Sequence, residues 1–172
     1  MMPADEGPEL KFRRYSIAAG DFEEAAKLAR QASHHSPDSL EREALLFMAI
    51  VVYFRPFSTN ERRQENEIPP SAPRLMVKDF APLSMEEESV HNACKQLRNR
   101  VLAHAEFSFY PSSLDPDSGV MSRQRSSLMS PIIEDGVVIW PFGLEQFCTL
   151  ADKLAKECHH WRADHAIALR DR

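Results

Sequence analysis

The stretch LRNRVLAHAE, residues 97–106, places Arg98, Asn99, Arg100 and His104 close together in an otherwise amphipathic segment. These side chains suit phosphate chemistry. A guanidinium carries a permanent charge and a planar fork of N–H donors that matches phosphate oxygens. An imidazole exchanges a proton near neutral pH, and an amide can orient either group. On a helix turning about 100° per residue, Val90, Ala93, Cys94, Leu97, Val101 and His104 fall on one face about 100° wide. Arg98 then lies about 120° from His104, Asn99 lies further round, and Arg100 sits one turn before His104. Two readings follow from the spacing. In one, the residues form a site. In the other, His104 is a hydrogen-bonded core residue and the arginines belong to a solvated face.

The elements that must position these residues are those of one soluble domain. With 172 residues, the chain is long enough to bury a core as a single unit, 1–172. Its net charge of −5 argues against broad electrostatic wrapping of nucleic acid, while leaving room for a local basic cleft. The three cysteines, Cys94, Cys148 and Cys158, are odd in number and not closely spaced, as expected of reduced thiols in a cytoplasmic protein. The opening MMPADEGPELKFRR has no apolar core and does not read as a signal peptide. The longest apolar run, Ala44–Phe54, has 11 residues, which suits a buried helix and falls short of a bilayer span. No membrane partner is expected.

Asp21 with Glu24 has the form of a capping box, and Ala25, Leu28, Ala29 and Ala32 follow at helical spacing. The sequence therefore predicts a first helix over 21–34, then a turn in HHSPDS with Pro37 opening the next helix. A second helix over 40–57 is apolar nearly all round at its middle, and Pro56 ends it. Residues 58–83 carry four of the 12 prolines and read as a mobile surface loop. Ser84 and Glu87 form a second capping box, opening a helix over 85–106. Residues 107–130 are again loop-like, and IIEDGVVIW, within 131–140, reads as a small β-hairpin turning at Glu134-Asp135-Gly136. A last helix of about 25 residues follows Gly143, with Phe147, Leu150, Leu154, Cys158 and Trp161 on its apolar stripe. The expected fold is mainly α: a four-helix, up-and-down type bundle with long loops and one small hairpin.

In that setting LRNRVLAHAE resembles the signature of HEPN domains (higher eukaryotes and prokaryotes nucleotide-binding), a family of small helical bundles. The family motif is an Arg, commonly followed by a polar residue, with a His shortly after it. Here Asn99 follows Arg98, and His104 comes after five intervening residues. The placement late in a long third helix also matches. The resemblance implies a homodimer in which the Arg and His of both subunits line one cleft. It further implies metal-independent cleavage of RNA, with no cofactor. RNA supplies its own nucleophile, the 2′-OH. His104 would move the proton, Arg98 would hold the phosphate, Asn99 would orient one of them, and Arg100 would be a secondary contact. A toxin or phage-defence role follows from the same likeness. The alternative is a non-catalytic HEPN-like module that binds a nucleotide, RNA or a protein such as an antitoxin or a nucleotidyltransferase. A third reading is a bundle with no ligand.

Other candidates are weaker. In CHHWRADH, His160 and Asp164 are four apart, as are Trp161 and His165, but no HExxH or CxxC accompanies them. Helix-end charge and an aromatic anchor explain them better than a metal. His34 and His35 fall in a turn. No GxSxG, GxxxxGK[ST] or GxGxxG is present. Arg123 and Arg125, downstream of the Arg–His helix, are candidate substrate contacts that would steer a polyanion, with a solvated loop as the alternative. The 40–57 helix and the Val101–His104 edge are candidate dimer surfaces, though core packing uses the same residue types.

Overall fold

A computed structural model describes residues 8–36, 39–58, 74–102, 112–114, 121–123, 133–134, 137–138 and 143–170; at 8, 10, 100–102, 168–170 and in the short strands only the backbone is described. The protein is mainly helical, with four α-helices among the described residues: α1 (Pro8–Ser33), α2 (Leu40–Phe54), α3 (Met85–Gln96) and α4 (Leu144–Arg170). No helix among the described residues is long and apolar enough to cross a membrane.

Helix α1 begins thirteen residues before the Asp21–Glu24 box that looked like its start. The reason lies in its buried stripe. Tyr15, Ala18, Ala19, Phe22, Ala25, Ala26, Ala29 and Ala32 are all buried, at an unbroken helical spacing that runs straight through Asp21. A helix already held on both sides of a potential cap has no reason to start there. Asp21 instead lies largely buried within the helix and accepts from Arg55 Nη1 at 3.4 Å. Burial pushes its carboxyl above the usual range, and the Arg55 guanidinium opposes that shift.

The alanine stripe lets α4 approach α1 closely. The pair run antiparallel, since Tyr15 stacks on Trp161, Glu23 pairs with His159, and Arg30 pairs with Asp152. From α4, Phe147, Leu150, Ala151, Leu154, Ala155 and Cys158 complete the same core. At its start, Gln146 Oε1 accepts from Gly143 N at 2.6 Å, half of a capping box.

Ser39 caps α2, accepting from Arg42 N at 3.1 Å. The helix is less enclosed than its composition suggests: Leu46, Ala49, Ile50, Val52, Tyr53 and Phe54 are buried, while Leu40, Met48 and Val51 face solvent. Pro56 cannot supply the next helical hydrogen bond, and the chain passes into a 3₁₀ turn at Arg55–Phe57. The Pro56 carbonyl then accepts from Leu75 N at 2.8 Å, and also from Arg14.

That bond corrects the picture of 58–83 as a surface loop along its whole length. Leu75 and Phe80 are buried in the core, and a 3₁₀ turn at Val77–Asp79 lies between them. The segment is clamped from α4, because Glu157 accepts from Ala81 N at 2.7 Å and Lys153 donates to Pro82 O at 3.4 Å. Residues 59–73 lie outside the described residues. Two short antiparallel pairs follow α3: β1 (Ser112–Leu114) with β2 (Met121–Arg123), and β3 (Ile133–Glu134) with β4 (Val137–Val138). The turn at 135–136 is outside the described residues.

Candidate functional site

Helix α3 opens with the Ser84–Glu87 box fully formed: Ser84 Oγ accepts from Glu87 N at 3.2 Å, and Glu87 Oε2 accepts from Ser84 N at 2.7 Å. The Glu87 carboxyl is held below its usual range, first by the hydrogen bond from Lys153. Val90, Cys94 and Leu97 form the buried seam, as the spacing predicts. The α-helix ends at Gln96, however, and Leu97–Leu102 is π-helical. A π turn bonds i to i+5 and is wider than an α turn, so the fixed 100° step fails from Leu97 onward. The angle assigned to Arg98 against His104 therefore does not carry over.

Arg98 is half-buried, not part of an outlying solvated face. Its Nη2 donates to Ser58 Oγ at 3.2 Å, and its Nη1 donates to Asn99 Oδ1 at 3.1 Å. Ser58 in turn donates to the Phe54 carbonyl at 2.8 Å, which ties the guanidinium to the end of α2. Arg98 and Asn99 border an open cavity of about 350 Å³, with Phe54, Phe57, Ser58, Arg74–Val77, His91 and Lys95 also lining it. The lining includes three cations, Arg74, Lys95 and Arg98, and no carboxylate among the described residues. None of the three has an acidic partner among those residues, whereas Arg13, Arg30, Arg55 and Lys153 are all paired. A second cavity of about 310 Å³ is the reverse, with Glu86, Glu87 and Glu145 in its wall. Of the two, the Arg98 cavity suits an anion.

The buried polar member of this wall is His91, only 7% exposed. Its Nδ1 lies 2.9 Å from the Tyr53 hydroxyl, and its ring meets the edge of Phe57 at 5.1 Å between centroids. Burial, and then Lys95, push the imidazole down to about 4. Burial drives the Tyr53 phenol well above its ordinary value. Both groups are neutral at pH 7. Sequence reasoning passed over His91, Lys95 and Arg74. The signal for the first two was present, because residues 91, 95 and 98 follow i, i+4, i+7 spacing beside the apolar seam.

The other expected site residues are placed unevenly. His104 and Arg125 lie outside the described residues, as do the side chains of Arg100 and Arg123. The structure thus brings Arg98 and Asn99 together at the cavity and gives no geometry for the remaining four. At the far end of α4, His159 Nε2 meets Glu23 Oε1 at 2.6 Å, and His165 Nδ1 donates to the Trp161 carbonyl at 2.8 Å. His160 and Asp164 are exposed. Among the described residues no group of three or more His, Cys, Asp or Glu side chains is arranged to hold a metal ion. His34 is exposed, and the His35 carbonyl accepts from Arg42 at 3.2 Å. Compared with known proteins, the chain matches no family model, no curated protein and no solved structure.

Proposed function

We propose that this chain is a HEPN-like, metal-independent endoribonuclease that holds an RNA phosphate at Arg98 and moves the proton with His104. The observation that carries the reading is the cavity itself: on a protein of net charge −5, three cations without acidic partners among the described residues gather around about 350 Å³ of open space. Arg98 is oriented there by Ser58 and Asn99, and an oriented guanidinium holds a phosphate better than a mobile one. In the proposed reaction the 2′-OH gives its proton to an imidazole as its oxygen attacks phosphorus. The 5′-oxygen leaves with a proton, so the products are a 2′,3′-cyclic phosphate and a 5′-hydroxyl. Arg98 stabilises the charge that builds on the phosphate oxygens.

The homodimer is part of the same proposal. Leu40, Met48 and Val51 give α2 an apolar stripe for it, and the resemblance gives each cleft an Arg and a His from both subunits. A toxin or defence role, with an antitoxin or nucleotidyltransferase as partner, rests on the resemblance alone. One observation favours the non-catalytic alternative. The imidazole in the described part of the cavity, His91, is neutral and tied to Tyr53, which suits binding more than proton transfer.

A ribonuclease assay in EDTA separates these readings. Wild type is expected to cleave RNA to cyclic-phosphate ends. His104→Ala and Arg98→Ala, checked for fold and oligomeric state, are expected to lose about a hundredfold or more. Full activity in both folded variants removes the catalytic reading. Ligand-dependent thermal stabilisation without cleavage selects the binding module.

A further inference from the structure

The Tyr53–His91 pair fixes more than its own geometry. Tyr53 is fully buried, and its hydroxyl meets one hydrogen-bonding partner among the described residues, His91 Nδ1. A buried hydroxyl proton without an acceptor is costly, so the phenol donates and Nδ1 accepts. The imidazole is neutral and therefore carries its proton on Nε2. Nε2 has no protein partner among the described residues, and the ring forms part of the cavity wall beside Lys95 and Arg98. A side chain more than nine-tenths buried thus lines a space bordered by three cations, with an N–H that is unpaired among the described residues.

We propose that His91 is a further binding residue of this cavity, its Nε2–H donating to an oxygen of a phosphoryl group drawn in by Arg98, Lys95 and Arg74. The inference rests on the reading that the cavity takes a phosphorylated ligand, and it does not depend on cleavage. The four donors differ in kind. Lysine attracts a phosphate as a point charge and arginine as a planar fork on a long stem, whereas a buried imidazole N–H held by a phenol has one direction. His91 therefore sets where the phosphoryl group stops. Phe57 and Leu75 beside it offer an apolar surface to the rest of the ligand. The titratable groups that bear on the ring are Tyr53 from α2 and Lys95 from its own helix, while Arg98 from the π-helical segment and Arg74 from the returning chain share its cavity.

The test uses the full chain. Long-range proton–nitrogen NMR of His91 is expected to show the Nε2–H tautomer; an Nδ1–H tautomer overturns the proposal. Calorimetric titration then compares adenosine 5′-monophosphate with a short 2′-fluoro RNA, which lacks the nucleophile and is not cut. His91→Asn, which offers no N–H at the ε position, is expected to weaken binding by roughly tenfold to a hundredfold. His91→Gln restores a donor at that position and is expected to stay near wild type. Loss for both ligands means a terminal phosphate is read, and loss for the RNA alone means an internal phosphodiester; either supports the role of His91. Tyr53→Phe supplies a second route if His91→Asn fails to fold, because freeing Nδ1 should populate both tautomers and weaken binding. If folded His91→Asn and Tyr53→Phe bind as wild type while Arg98→Ala does not, His91 has no role and the cavity reading stands. If wild type neither binds these ligands nor cleaves RNA, both readings fall.

Discussion

His91 couples the cavity to the pH dependence of folding. Its imidazole is held at about 4 in the folded protein against an ordinary 6.5, so the unfolded chain binds more protons between those values. Stability therefore rises with pH across that window and falls as acid is added. Urea titrations at pH 7 and pH 5 should show a loss of about 1 kcal/mol at the lower pH, allowing for solvent that reaches the ring through the cavity. His91→Gln should flatten that difference. A loss unchanged in the glutamine variant would place the acid sensitivity elsewhere. A phosphoryl group bound beside the ring would oppose the depression, since a nearby anion favours the imidazolium.

Two identical signals at element scale had opposite fates, and packing explains why. Ser84–Glu87 caps α3 with both reciprocal bonds, because the chain before it is extended. Asp21–Glu24 has the same form but lies inside α1, where Tyr15, Ala18, Ala19 and Phe22 carry the buried stripe past it. The helix order and the seam through Val90, Cys94 and Leu97 were legible because they depend on residue type and spacing. Of the residues lining the candidate cavity, only Arg98 and Asn99 stood out in the sequence, although the spacing of His91 and Lys95 was there to be read. The π-helical segment has no sequence period to announce it, and Leu75 reaches the cavity wall through a backbone bond to Pro56 that no local pattern encodes. Helix α1 also carries Gly20 on its exposed face, with nothing within 4 Å of an added Cβ. Gly20→Ala should raise stability by about 0.5–1 kcal/mol, because glycine in a helix interior costs backbone entropy. Thermal or urea melts will measure it, and no gain would mean that α1 frays at this position.

Over the whole molecule, the chain carries a net charge of −5, while the Arg98 cavity is lined by cations and by no carboxylate among the described residues. RNA held as proposed is therefore expected to make only local contacts. Neutralising about three phosphates with Arg74, Lys95 and Arg98 gives a slope of log K against log salt near −2 for a single strand. A much steeper slope would mean a larger basic surface built from arginines such as Arg123 and Arg125. The same body holds its three thiols inside: Cys94 and Cys158 are fully buried, and Cys148 is 8% exposed. Burial holds the Cys94 thiol well above its ordinary value and pushes Cys158 up to about 12. A maleimide in solution can therefore reach Cys94 on α3 and Cys158 on α4 only when the helices part. Their labelling rates become a clock for opening of the bundle, with Cys148 registering the smaller excursions at the start of α4.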